Sequence, residues 1–115
     1  MFSDDERARG WIEDIVENSD RIAEDVGGLS LNAFAADAKT RDAVERCIER
    51  ITEAAVRLGP DRLALIAPET PLHEVRCLGN VLRHEYQRVN ARLIWETATA
   101  DVPTLREACV RALER

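Results

Sequence analysis

Val44, Ile48, Ile51, Ala55 and Leu58 follow one another at intervals of four, three, four and three residues. One face of an α-helix repeats at that spacing, and Cys47 and Ala54 widen the same apolar stripe. The stripe predicts about four continuous helical turns. Gly59-Pro60 ends it, because proline supplies no backbone N–H to carry a helix on. A chain that commits this much of its length to one amphipathic helix needs other helices to cover the stripe.

The flanking segments supply them. Ser3 and Glu6 have the spacing of a capping box, so a helix is expected from there to about Val26. Its apolar positions are Trp11, Ile12, Ile15, Val16, Ile22, Ala23 and Val26, with one polar interruption at Ser19. Gly27-Gly28 closes it, and Ser30 caps a short helix from Leu31 to about Ala36. A further short helix is expected over 61–67, stopped by Pro68. Thr70-Pro71 then starts a helix running to about Arg88, with Val75, Leu78, Val81 and Leu82 on its apolar side and Gly79 inside it. Asn90 caps another helix through Leu93, Ile94, Trp95 and Ala98. A break near Asp101-Val102-Pro103 precedes the last, which carries Leu105, Ala108, Cys109, Ala112 and Leu113. No segment alternates with period two over a useful length. The expected fold is all-α: a helical bundle of four to five main helices with short extra helices.

Composition narrows the function. At 115 residues the chain is expected to be one domain over 1–115, and at 45% apolar and 33% charged it can bury a core. The longest apolar run, Leu63 to Ala67, is far short of a membrane span, and the first residues are acidic rather than signal-like. No membrane association and a cytoplasmic location are expected. The net charge of −6 argues against a protein that coats nucleic acid, so any RNA contact must be local, at a few arginines in one cleft. Cys47, Cys77 and Cys109 form no C-x-x-C pair and are expected to be small core residues. No metal site and no cofactor are expected.

One segment could carry chemistry. On a helix, Arg76, Asn80, His84 and Arg88 stand four residues apart and share a polar ridge, away from Val75, Leu78 and Leu82. A neutral imidazole can take a proton from a ribose 2′-hydroxyl or return one to a leaving oxygen. A guanidinium can hold the phosphate and its developing charge. The same residues also have plainer uses: a solvated histidine, arginines in surface ion pairs, and a half-buried packing tyrosine at Tyr86.

The chain resembles the HepT-like branch of the HEPN superfamily, bacterial proteins often encoded beside a minimal nucleotidyltransferase. The resemblance covers about residues 11–113. It rests on Gly28-Leu-Ser-Leu31 with Phe34, on Lys39-Thr-Arg-Asp-Ala-Val44, on Gly79-Asn-Val-Leu-Arg-His-Glu-Tyr86, and on Ile94-Trp-Glu-Thr97 with Asp101-Val-Pro103. It implies a helical bundle that forms a homodimer, bringing two motif helices to a shared cleft. It also implies a metal-independent endoribonuclease acting as a toxin. The family motif is an arginine, a polar residue, spacers and a histidine, with a tyrosine two positions on. Asn80 matches the polar residue, His84 the histidine and Tyr86 the tyrosine. In the family that tyrosine receives a nucleotide from the nucleotidyltransferase antitoxin, which silences the toxin. The arginine's own place, five before the histidine, holds Gly79. Arg76 lies three positions too early, and Arg83 points about 100° away from His84 on a helix.

Two functions therefore stand side by side at this level, against a third reading in which the chain is a plain structural dimer whose polar ridge is solvated surface. In one, the chain is a ribonuclease in which His84 is general acid or base, and Arg76 or Arg83 of either subunit replaces the missing arginine. In the other, it is a catalytically degenerate binding subunit that docks a nucleotidyltransferase and presents Tyr86.

Overall fold

The Ser3 hydroxyl accepts the Glu6 N–H at 3.2 Å, and the Glu6 carboxylate accepts the Ser3 N–H at 3.5 Å. This capping box starts helix α1, Asp4–Val26, which ends where Gly27 turns to a φ of 53°. The computed structural model describes residues 3–84 and 91–115, and of residues 81, 83 and 84 only the backbone. Ser30 caps α2, Leu31–Ala36, by accepting the Ala33 N–H at 3.2 Å. Asp37 both ends α2 and caps α3, Ala38–Ile66, accepting the Thr40 N–H at 3.1 Å and the Thr40 hydroxyl at 2.8 Å. The other helices are α4, Leu72–His84, α5, Ala91–Glu96, and α6, Val102–Leu113. No strand occurs among the described residues. The all-α expectation holds.

The four-three stripe organises the core. Val44, Ile48, Ile51, Ala55 and Leu58 are all buried, together with Cys47 and Ala54. α1 lies along this stripe and buries Ala8, Ile12, Ile15, Ile22 and Val26. α4 covers the stripe from another side, and α6 packs on α1. Phe34 of α2 is fully enclosed. Each large side chain taken wholly from water stabilises the bundle by about 1.5–3 kcal/mol. The Trp95 indole N–H donates to the Leu29 carbonyl at 3.2 Å and ties α5 to the turn after α1. Two cross-helix ion pairs add to the frame, Arg106 with Asp20 at 2.6 Å and Arg62 with Asp5 at 3.3 Å.

Gly59 interrupts α3 with a φ of 85° and a ψ of 165°. The expected stop at Gly59-Pro60 is therefore a kink, and the helix resumes at once over 60–66. The polar interruption of α1 is also inside the fold. Ser19 is buried and donates to the Ile15 carbonyl at 2.6 Å, which satisfies its hydroxyl within the helix.

Two further expectations need correction. The break at Asp101-Val102-Pro103 does not form. Residues Thr97–Asp101 make a π turn, closed by the Val102 N–H on the Thr97 carbonyl, and α5 passes through it into α6. A π turn widens the helix and shifts its hydrogen bonds, so Pro103, just after it, lacks an N–H where the α-helical ladder is already interrupted. The Thr99 and Thr104 hydroxyls donate to the Trp95 and Ala100 carbonyls at 2.8 and 3.1 Å, serving acceptors around the widened turn. The second correction concerns the thiols. Cys47 and Cys109 are buried, but Cys77 is exposed. Position 77 is two residues, about 200°, from buried Val75, so it faces outward. Among the described residues no helix is long and apolar enough to cross a membrane.

Candidate functional site

α4 is amphipathic. Val75 and Leu82 are buried against the bundle, with Leu72 and Leu78 partly buried beside them. The helix is continuous from Leu72 to His84, so positions 76, 80 and 84 fall on one ridge. The Arg76 and Asn80 side chains are exposed. The side chains of Arg83 and His84, and all of Tyr86 and Arg88, lie outside the described residues. The structure thus brings Arg76 and Asn80 onto one ridge with the His84 backbone. Near the start of α4, the exposed Cys77 Sγ stands 3.8 Å from His73 Nε2. Among the described residues no group of three or more His, Cys, Asp or Glu side chains could hold a metal ion.

Gly79 is buried where α4 meets α3. A cleft of about 280 Å³ opens there, lined by Glu53, Val56, Arg57, Arg76 and Gly79 among others. Two guanidiniums, one from each helix, therefore border the place where the resemblance expects an arginine. Arg57 Nη2 donates to Glu53 Oε1 at 3.0 Å, with both side chains more than half exposed. Such exposed pairs one helical turn apart are worth only about 0.3–0.5 kcal/mol. Arg76 forms no ion pair among the described residues.

The Glu53–Arg57 pair is also shared with a second cavity of about 370 Å³ between α1 and α3. Trp11, Asn18, Arg21 and Arg50 contribute to its walls. A third groove, about 450 Å³, runs between α3, α4 and the α5–α6 helix. It has an apolar lining that includes Ile51, Leu78 and Leu105, bordered by Glu69, Glu74 and Asp101, and no cation lines it among the described residues.

Arg57, Arg50 and Trp11 escaped the sequence reading. Neither Arg57 nor Arg50 is singled out there, and Trp11 is one more member of the α1 stripe. A signal was present nonetheless: Arg50 and Arg57 are seven residues apart, nearly two full turns on one face.

The buried thiols are chemically quiet. Burial pushes Cys109 up to about 11, and burial likewise raises Cys47. Neither is a thiolate near neutrality.

Residues 12–112 match the family model described as "Ribonuclease HepT-like". A "Probable ribonuclease HepT" of Thermococcus cleftensis is 33% identical over 98 residues, covering 85% of this chain and 88% of the relative. A "Putative RNase" of Caldanaerobacter subterraneus subsp. tengcongensis is 31% identical over 107 residues, covering 93% of this chain and 95% of that protein. A "Putative RNase" of Methanocaldococcus jannaschii is 32% identical over 95 residues, 83% of this chain and 78% of that one. No solved structure matches the chain significantly.

Proposed function

The chain belongs to the ribonuclease HepT-like family, and we propose from that premise that it is a metal-independent endoribonuclease working in a toxin–antitoxin pair. The observation that carries the reading is the run of α4 unbroken to His84, with Arg76 and Asn80 on its ridge, in a chain matched to a ribonuclease family.

The chemistry needs only these residue types. His84, as a neutral imidazole, removes the proton from a 2′-hydroxyl of RNA. The 2′-oxygen bonds to the adjacent phosphorus while the bond to the 5′-oxygen breaks. The departing 5′-oxygen takes a proton from an imidazolium, of the same copy or of its dimer partner. The products are a 2′,3′-cyclic phosphate end and a free 5′-hydroxyl, and no water or metal is consumed. Arg76 or Arg83, of either copy in a homodimer, holds the phosphate as its charge grows. Asn80 hydrogen-bonds and orients it. Tyr86 is the acceptor for a nucleotide from a minimal nucleotidyltransferase antitoxin, whose added anion closes the cleft to RNA by charge and bulk.

The test compares RNA cleavage by the wild-type protein and His84→Ala. Loss of the imidazole should slow cleavage by roughly 10²–10⁴-fold. Equal rates, or no cleavage by the wild type, would end this reading.

Gly79 at the place of the motif arginine favours a second reading. Here the chain is a non-catalytic subunit that docks the nucleotidyltransferase and presents Tyr86. Incubation with that partner and ATP should then add a nucleotide mass to the wild type and not to Tyr86→Phe. A Tyr86→Phe protein carrying the same adduct rules that acceptor out.

A further inference from the structure

The groove of about 450 Å³ between α3, α4 and the α5–α6 helix plays no part in the RNA chemistry. It lies off the polar ridge: Glu74 and Leu78, on its α4 bank, stand about 120° and 160° around the helix from Asn80. Among the described residues α4 and the α5–α6 helix both pack on α3 but scarcely on each other, which leaves the hollow between them.

The floor is already out of water, since Ile51, Val75 and Leu105 are buried. The banks are not. Leu93 is 43% exposed, and Leu78 across from it is only partly buried. Acids border this apolar strip. Glu69 lies just before α4, Glu74 within it, and Asp101 at the entry to α6, and all three are exposed. None of them is in an ion pair among the described residues, and no described cation lines the groove. Like charges gathered around a strip of leucine favour an occupant that brings the opposite sign.

The same features narrow the occupant. Three carboxylates repel a nucleic acid or any other polyanion. The Thr52 and Thr104 hydroxyls in the lining are already spent on the Glu49 and Ala100 carbonyls, at 2.8 and 3.1 Å, so a small polar ligand meets few directed donors. The banks are helices whose backbone groups bond within themselves, so an incoming strand has no edge to pair with. A helix makes its own backbone bonds. An amphipathic one can lay apolar side chains along the strip and hold cations over both margins.

We propose that this groove docks a basic amphipathic helix of a partner protein, its apolar side chains lying between Leu78 and Leu93 and its lysines or arginines meeting Glu69, Glu74 and Asp101. The docking surface goes beyond the ribonuclease reading and does not depend on it.

The probe is a fluorescein-labelled synthetic peptide of about four helical turns, with leucines on one face and lysines on both flanks. Fluorescence anisotropy reads its binding to the full chain. One control peptide has the same composition scrambled so that the leucines share no face, and another carries glutamate in place of lysine. The patterned peptide should bind at least about tenfold more tightly than the scrambled one, and the glutamate peptide should not bind. Reversing Glu74→Lys together with Asp101→Lys should weaken binding at least about tenfold, and Leu93→Ser should weaken it about three- to tenfold. Glu24→Lys together with Asp42→Lys makes the same change of net charge at exposed acids away from the groove, and should bind as the wild type does.

Equal affinity for the patterned and scrambled peptides overturns the proposal, because the attraction would then be to the net charge of −6 and not to the groove. Equal losses from the two charge reversals overturn it for the same reason. So does Leu93→Ser binding like the wild type, whether its sedimenting oligomer is unchanged or altered; an altered one would make the face a contact between copies. Circular dichroism of each variant checks that these exposed substitutions leave the bundle folded, and Leu93→Ser carries the test by itself if the charge-reversed protein does not fold.

Discussion

Gly59→Ala and Gly10→Ala are one substitution with two expected signs. Gly59 has a φ of 85° and a ψ of 165°, a combination that residues with a Cβ scarcely adopt. A Cβ at position 59 meets nothing within 4 Å, so the cost is backbone strain alone, about 1–3 kcal/mol. Gly10 lies inside α1, is exposed, and a Cβ there also meets nothing within 4 Å. Alanine should stabilise that site by about 0.5–1 kcal/mol, because it gives up less chain freedom on folding. At about 4 °C per kcal/mol for a domain of this size, Gly59→Ala should lower Tm by about 4–12 °C and Gly10→Ala should raise it by about 2–4 °C. Urea unfolding followed by far-UV circular dichroism checks the same numbers, with the slope on denaturant unchanged if only the folded state is strained. The refuting result is stabilisation at both positions. It would mean that α3 runs straight through residue 59 in solution. The 60–66 stretch would then leave the place where Arg62 pairs with Asp5 of α1, and the Arg57–Arg76 cleft would not exist in the form described.

Three thiols should behave in two ways. Only the exposed Cys77 should react quickly with a disulfide reagent in the native protein, and all three after unfolding; rapid labelling of Cys109 would contradict its burial. Burial holds the Cys109 thiol at about 11 against an ordinary 9.0, so the folded chain keeps a proton that the unfolded chain loses. Stability from this group is therefore complete below pH 9.0 and falls as pH rises toward about 11, a slope that Cys109→Ala should flatten in a Tm–pH series. Asp37 has the opposite sign. The Thr40 backbone and side-chain hydrogen bonds hold its carboxyl below the ordinary 3.8. Its contribution is present above that value and disappears as pH falls through the depressed one. Asp37→Ala should lower Tm at neutral pH, and its gap from wild type should close in strong acid; a gap that stays constant would show that the charge is not what caps α3.

Much of the fold is legible from local chemistry. The stripe from Val44 to Leu58 needs only helical periodicity, and Ser3, Ser30 and Gly27 act through neighbours one turn away. The exposure of Cys77 and the winding before Pro103 are hidden from the sequence for a shared reason. A cysteine's burial and a proline's tolerance depend on which way the helix faces and how its turn is wound, which composition does not specify. For the candidate site, the ridge of Arg76, Asn80 and His84 follows from helix spacing. The Arg57 contribution does not, because it requires knowing that α4 packs on α3 with Gly79 at the crossing.

The π turn at Thr97–Asp101 sets how this gene can change length. It accommodates one residue more than an α-helical turn would, and with that residue present Ile94 before it, Ala98 within it, and Val102, Leu105 and Cys109 after it all reach the core. Removing a single codon between them would tidy the winding and swing everything downstream by about 100°. Cys109 would move toward solvent and its charged neighbours toward the core. Homologous chains should therefore vary in length at their loops and hold this helical stretch to a constant count.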